Sequence, residues 1–276
     1  MPHAPDSHGS AHEQEPPPLA VWPCAQTPPE QQRRERGLTP PVAPAAPALL
    51  PVLAQRLVAE LSAPGELVAD VMCGSGALTL AAARAHRRVL ALDLEPECLA
   101  QTHAHLALTE APTARRVLEL IQGDARLATG LLAGHRIDLA VLDPPAPGAP
   151  HVPGDFAESN LAALSGAAYT RALTDAVAAV AVRLRPGARL VLIAAPGPEP
   201  ARLAAGLPGW VQAGVDAGLD YRQHIIALTR PLRGTAITTD PAPGAAADGH
   251  HPAHLHLLVF TKPAPSPEEH KKGERR

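Results

Sequence analysis

Aromatic side chains are nearly missing from this 276-residue chain, which has two each of Trp, Tyr and Phe. Its core must therefore be built from Leu, Val, Ile and Ala, and the interleaved rings on which nucleic acids stack are absent as well. No apolar run approaches the roughly 20 residues that cross a bilayer, and no basic segment followed by an apolar one opens the chain. A cytoplasmic protein with no membrane partner is expected. The three cysteines, Cys24, Cys73 and Cys98, are odd in number and far apart. That excludes a disulfide framework or a zinc site and fits a reducing compartment. A formal charge of −3 gives no general attraction to a polyanion, so binding nucleic acid would need a local basic patch. The cluster Arg33-Arg34-Glu35-Arg36 reads as a solvated charge run.

What the chain has in excess is Ala, Gly and Pro, with 33 prolines. Residues 1–36 are polar and Pro-rich with almost no aliphatic run, so they are expected to be mostly disordered, with Pro16 to Trp22 able to dock locally. Residues 263–276 are charged and Pro-rich and are expected to form a second disordered tail. The interval 37–262 suits one α/β domain with a sizeable core.

One stretch organises that interval. An apolar run, Leu67 to Ala69, ends in Asp70, and a turn of small residues carrying Gly74 and Gly76 leads into an Ala-rich helical pattern. A strand, a tight glycine turn and a helix bring backbone N–H groups to a ligand at the helix N-terminus. The next strand, Arg88 to Leu92, ends in Asp93, placed to accept hydrogen bonds from both hydroxyls of a ribose. The pair predicts a nucleoside-containing cofactor. Downstream, strands are expected at Arg116–Ile121, Ile137–Leu142, Arg189–Ala194, Tyr221–Thr229 and Leu255–Thr261. Helices are expected over Pro51–Leu61, Ala77–His86, Pro96–Thr109 and, broadly, Leu161–Leu184. Asp70, Asp93, Asp124 and Asp143 each follow one of four successive strands. In open α/β sheets ligands sit beyond those strand ends.

The turn lacks the third glycine of a dinucleotide fingerprint, since Thr79 stands there. Asp70-Val71-Met72-Cys73-Gly74-Ser75-Gly76 instead resembles motif I of class I S-adenosylmethionine (SAM) methyltransferases, in the form found in amino-group DNA methylases and tRNA guanosine-N2 methyltransferases. The resemblance implies a Rossmann-like seven-stranded sheet with helices on both faces and SAM as cofactor. It implies that Met72 to Gly76 admit the methionine part, that Asp70 faces its ammonium and that Asp93 takes the ribose. Asp124 would accept from the adenine amine, or else cap the following helix. Asp143-Pro144-Pro145 resembles motif IV of amino-methyltransferases. An exocyclic amine is a poor nucleophile because its lone pair is delocalised into the ring. The acid and the carbonyl after it accept the two N–H bonds and aim the nitrogen at the methyl group.

Two positions depart from that pattern. The aromatic fourth residue of motif IV, which stacks on an extruded base, is Ala146 here, leaving Phe156 or Tyr169 to compensate. The His-Pro-x-Lys/Arg element before the first helix is replaced by Ala45-Ala46-Pro47-Ala48. His250, His251, His254 and His256 invite a metal site, but no Cys or paired carboxylate joins them, so they are taken as edge-strand and loop histidines and no metal is expected. The leading expectation is SAM-dependent methyl transfer to an exocyclic amine of a nucleobase in DNA or RNA. Two alternatives stay open, a catalytically degenerate SAM-binding protein and a small-molecule methyltransferase. A basic cleft with an aromatic wall around Asp143 would separate the first reading from the others.

Overall fold

The computed structural model describes residues 19–42, 49–149, 156–195, 200–237 and 253–264. Ala45 to Ala48, Pro16 to Pro18, His250 and His251 lie outside them, as does nearly all of the expected C-terminal tail. The chain begins with β1 (Val21–Pro23), α1 (Pro29–Glu35) and α2 (Pro51–Leu61). Then come β2 (Leu67–Val71), α3 (Ala77–Arg84), β3 (Arg88–Asp93), α4 (Pro96–Ala107), the short α5 (Ala111–Ala114) and β4 (Val117–Gln122). The second half contributes α6 (Ala128–Leu131), β5 (Ile137–Leu142), α7 (Gly166–Ala181), β6 (Leu184–Ala194), α8 (Pro200–Asp216) and β7 (Asp220–Leu228). A small hairpin, β8 (Leu232–Arg233) and β9 (Ala236–Ile237), precedes β10 (His254–Thr261).

The main sheet has eight strands in the order β1-β7-β10-β6-β5-β2-β3-β4. β10 is antiparallel to both its neighbours, and the other pairs are parallel. The strand order reverses between β2 and β5, which pair from Val68↔Leu139 to Val71↔Leu142. A crevice opens beyond the carboxyl ends of strands at such a switch point.

Alternation along the strands sorts the apolar residues onto two faces. Val68, Val89, Leu139, Val141, Val191 and Ile193 pack under α2 and α3. Ala69, Val71, Leu90, Ala140, Leu142 and Leu192 pack under α7. With so few rings, Leu carries most of the fully buried volume, and Phe260 is the largest fully buried side chain. Helices α1, α2 and α4 start without side-chain caps but with proline in the first turn, at Pro29, Pro51 and Pro96. There the missing N–H costs nothing and φ is already helical. Among the described residues no helix is long and apolar enough to cross a membrane.

The structure departs from the sequence reading in three places. Residues 19–36, expected to be disordered, are built into the fold. β1 adds to the open edge of β7 in parallel, Val21↔Ile226 to Pro23↔Leu228, and gives the sheet its eighth strand. Trp22 is buried, with Arg56 4.6 Å above its ring. The fully buried Gln32 side chain donates to Cys24 O and Thr27 O, both at 2.8 Å, and accepts from Val52 N at 3.1 Å. One ring and one amide hold this segment, and neither registers in a periodicity count. Secondly, β10 lies between β6 and β7, so His254 and His256 are on an interior strand and not on an edge. His256 contacts His224 at 2.9 Å and His254 at 3.1 Å. Thirdly, the helix expected from Leu161 begins at Gly166, after a single 3-10 turn at Leu161–Ala163.

Candidate active site

The crevice is lined by Asp70, Met72 to Ser75, Asp93, Glu95, Asp124 and Asp143 to Ala146, with Asn160 and Leu161 on the far side. The four strand-end acids therefore converge, as their positions in the sequence imply.

On the β2 side every carboxylate is tied down. Asp70 Oδ2 accepts from Thr79 N (2.9 Å) and Thr79 Oγ1 (2.6 Å), which caps the first turn of α3 from outside. Asp93 Oδ2 accepts from Gly74 N (2.8 Å), and its Oδ1 accepts from Glu95 N (3.0 Å). Asp93 thus braces the glycine turn in addition to facing the crevice. Glu95, a residue the strand-end argument did not reach, is buried and accepts from Asn160 Nδ2 at 2.7 Å. Burial raises the Asp70 and Asp93 carboxyls to about 6 each, and their hydrogen bonds offset part of the rise.

The two glycines do different work. Gly74 has φ +52 and a Cβ there would point into open space, so its bareness leaves room in the crevice. Gly76 has φ +77 and a Cβ there would lie 2.7 Å from the Thr102 side chain. Its bareness lets α4 approach. Met72 adopts φ +67, an unusual conformation for a residue with a side chain, fixed by its N–H donating to Leu92 O at 2.7 Å. Cys73 is buried with its thiol pushed well up by burial, so it packs as an apolar group.

Asp124 does what its capping alternative foresaw. Its Oδ1 accepts from Arg126 N at 2.9 Å, and both oxygens pair with the Arg126 guanidinium. Any adenine amine would have to share an oxygen already engaged.

Across the switch point Asp143 stands apart. It is half-buried, and its side chain makes no hydrogen bond among the described residues. Burial and then the nearby Asp70 push its carboxyl up to about 7. Pro145 O accepts from Tyr169 Oη at 3.0 Å, so the buried Tyr169 braces the Pro144-Pro145 loop from below. Tyr169 therefore cannot replace the ring lost at Ala146, and neither it nor Phe156 lines the crevice. The basic cleft with an aromatic wall that would single out the nucleic-acid reading is not what the described residues form. They line it with five carboxylates, no Lys, Arg or His, and no ring.

The arrangement is suited to a cation. Buried carboxylates beside a glycine turn, with open space at Gly74, fit a positively charged nucleoside such as SAM, whose sulfonium and ammonium groups offset their charge.

Comparison with known proteins agrees with the fold. Residues 3–104 match a family model described as DNA methylase. That match takes in the glycine turn and Asp93 and ends before Asp124 and Asp143. No curated protein matches the chain. Among solved structures, TrmN from Thermus thermophilus is similar with a TM-score of 0.50 and 19% identity, over 78% of this chain and 49% of that one. The chain thus spans about half the length of TrmN. A structure concerned with converting a disulfide bond into a thioacetal group during echinomycin biosynthesis is similar with a TM-score of 0.51 and 19% identity, over 89% of this chain and 97% of that one. The fold is the Rossmann-like class I methyltransferase fold, with one strand added at its edge.

Proposed function

We propose that this chain is a SAM-dependent methyltransferase acting on an amino nitrogen, with the exocyclic amine of a nucleobase in DNA or RNA as target class. The observation that carries the reading is Asp143. It is an unpaired carboxyl at the end of β5, adjoining Pro144-Pro145 and facing the same crevice as the glycine turn. When bound, SAM supplies an electrophilic methyl group on its sulfonium. Met72 to Ser75 would admit the methionine part, Asp93 would hold the ribose, and Asp70 would face the ammonium with the oxygen that Thr79 leaves free. Asp143 and the neighbouring carbonyl accept the N–H bonds of the target and turn its lone pair toward the methyl carbon. A nitrogen that gained this methyl group would have a proton to give up. A carboxyl raised to about 7 is suited to take it up near neutral pH. Tyr169 keeps the loop from giving way during the transfer.

A small amine as substrate is a second reading, favoured by the acidic, ring-free lining of the crevice. Such a lining repels a polyanion and offers a base no face to stack on. Calorimetric titration with SAM, followed by transfer from methyl-tritiated SAM to separated cellular DNA, RNA and small-molecule pools, decides between them. Label in nucleic acid supports the first reading, and label confined to small amines supports the second. Saturable SAM binding with no label in any pool rejects both in favour of a SAM-binding protein without transferase activity.

A further inference from the structure

His105 joins two parts of the chain that meet at the crevice. It is buried on α4, with Nδ1 2.9 Å from Ser75 O in the glycine turn. Its Nε2 lies 3.0 Å from Thr39 N and 2.9 Å from Thr39 Oγ1. A carbonyl only accepts and an amide N–H only donates, so the ring carries its proton on Nδ1 and presents a lone pair at Nε2. One helical turn earlier, Gln101 reaches the same segment. Its Nε2 donates to Thr39 Oγ1 (2.8 Å) and Pro40 O (2.6 Å), and its Oε1 accepts from Val42 N (3.2 Å).

The fastened segment matters because Pro41 and Val42 belong to the crevice wall, as Met72 to Ser75 do. Upstream, the arm is anchored independently by β1, Trp22, Gln32 and the buried Leu38. Between that anchor and Val42, the hydrogen bonds described for the segment come from one face of α4. The contacts made by Gln101 are exposed to solvent, so they open at low cost. Thr39 and Pro40 are exposed as well, so little apolar burial resists their release.

We propose that residues 39–42 form a strap over the cofactor end of the crevice, fastened by His105 and Gln101, and that its release gates the admission and departure of the nucleoside cofactor. The inference rests on reading the crevice as a SAM site. His105 and Gln101 are positioning residues in this scheme, since they act through the strap and the glycine turn.

The test uses the full chain and SAM itself. Gln101→Ala is expected to speed SAM dissociation about tenfold, as the loss of one or two net hydrogen bonds implies. The KM for SAM should rise while the KM for the methyl acceptor stays put, and amide deuterium exchange at Thr39 and Val42, the two strap residues with an N–H, should quicken. His105→Ala should do the same more strongly. His105→Gln keeps an acceptor within reach of Thr39 and should restore slow exchange in the strap. SAM bound with parental dissociation rates in a folded Gln101→Ala protein overturns the gate and leaves the cofactor reading standing. If the parent protein fails to bind SAM, the cofactor reading falls and the gate with it.

Discussion

On the β2 side of the switch point the carboxylates of Asp70, Asp93, Glu95 and Asp124 each accept a hydrogen bond from Thr79, Gly74, Asn160 or Arg126. On the β5 side Asp143 accepts none among the described residues, and the position after Pro145 carries only a methyl group. The first region is preorganised, so its charges are positioned before any ligand arrives. The second keeps its polar group unspent. A group held in a half-buried place without a partner costs stability, and it persists where a ligand supplies the missing partner. On the proposed reading, the contrast would separate binding from chemistry within one crevice.

The sharpest way to break this contrast is Asp143→Ala. It should lower turnover by about 100-fold or more, the scale of losing a positioned transition-state acceptor, and leave SAM affinity unchanged by calorimetry. A parallel loss of SAM affinity would show that the two regions are not separable. Next in size is Gly76→Val, which forces a branched side chain against Thr102 at an αL position. Urea unfolding should show a loss of about 2–4 kcal/mol, and Gly74→Ala should lose only about 1 kcal/mol while weakening SAM binding more.

Asp93→Ala tests whether bracing and binding are one function. Removing the acceptor of Gly74 N and Glu95 N should cost about 1–3 kcal/mol in the absence of SAM. It should also lower SAM affinity. An affinity loss with no stability loss would confine Asp93 to the ligand.

The smallest expected effect concerns pH. The Asp143 carboxyl rises from 3.8 to about 7 on folding, so its protonated form is the one the fold prefers. That contribution is present below about pH 4 and is lost as the pH rises through about 7. Asp143→Asn should therefore stabilise the SAM-free protein by about 1 kcal/mol at pH 8, a figure discounted for its partial exposure. The gain should vanish at pH 4. An equal gain at both pH values would trace the effect to packing and not to charge.

Much of this architecture was legible in the sequence because it depends on local rules. Continuous apolar runs and proline at helix starts placed β2, β3, β5, α2 and α4 to within a residue or two. The strand-end acids followed from where those runs stop, since the crevice opens at the carboxyl ends of parallel strands. The arm was not legible. A lone Trp22 in a Pro-rich run and a lone Gln32 gain meaning only when the edge of β7 and the start of α2 are beside them. The role of Asp124 was left open for a related reason. Capping and ligand binding use the same oxygens, and only the position of Arg126 showed them engaged.

The sequence by itself determined the parallel α/β sheet, the glycine turn and the meeting of Asp70, Asp93, Asp124 and Asp143, because backbone periodicity and connection rules operate over a few residues. Tertiary structure alone decided which of those acids is spent and which is free. It also decided that Tyr169 braces Pro145 instead of facing a substrate, and that His105 ties Ser75 to Thr39, which lies 66 positions before it in the chain. Hydrogen bonds between distant segments depend on distances of a few tenths of an ångström, which chain order does not carry.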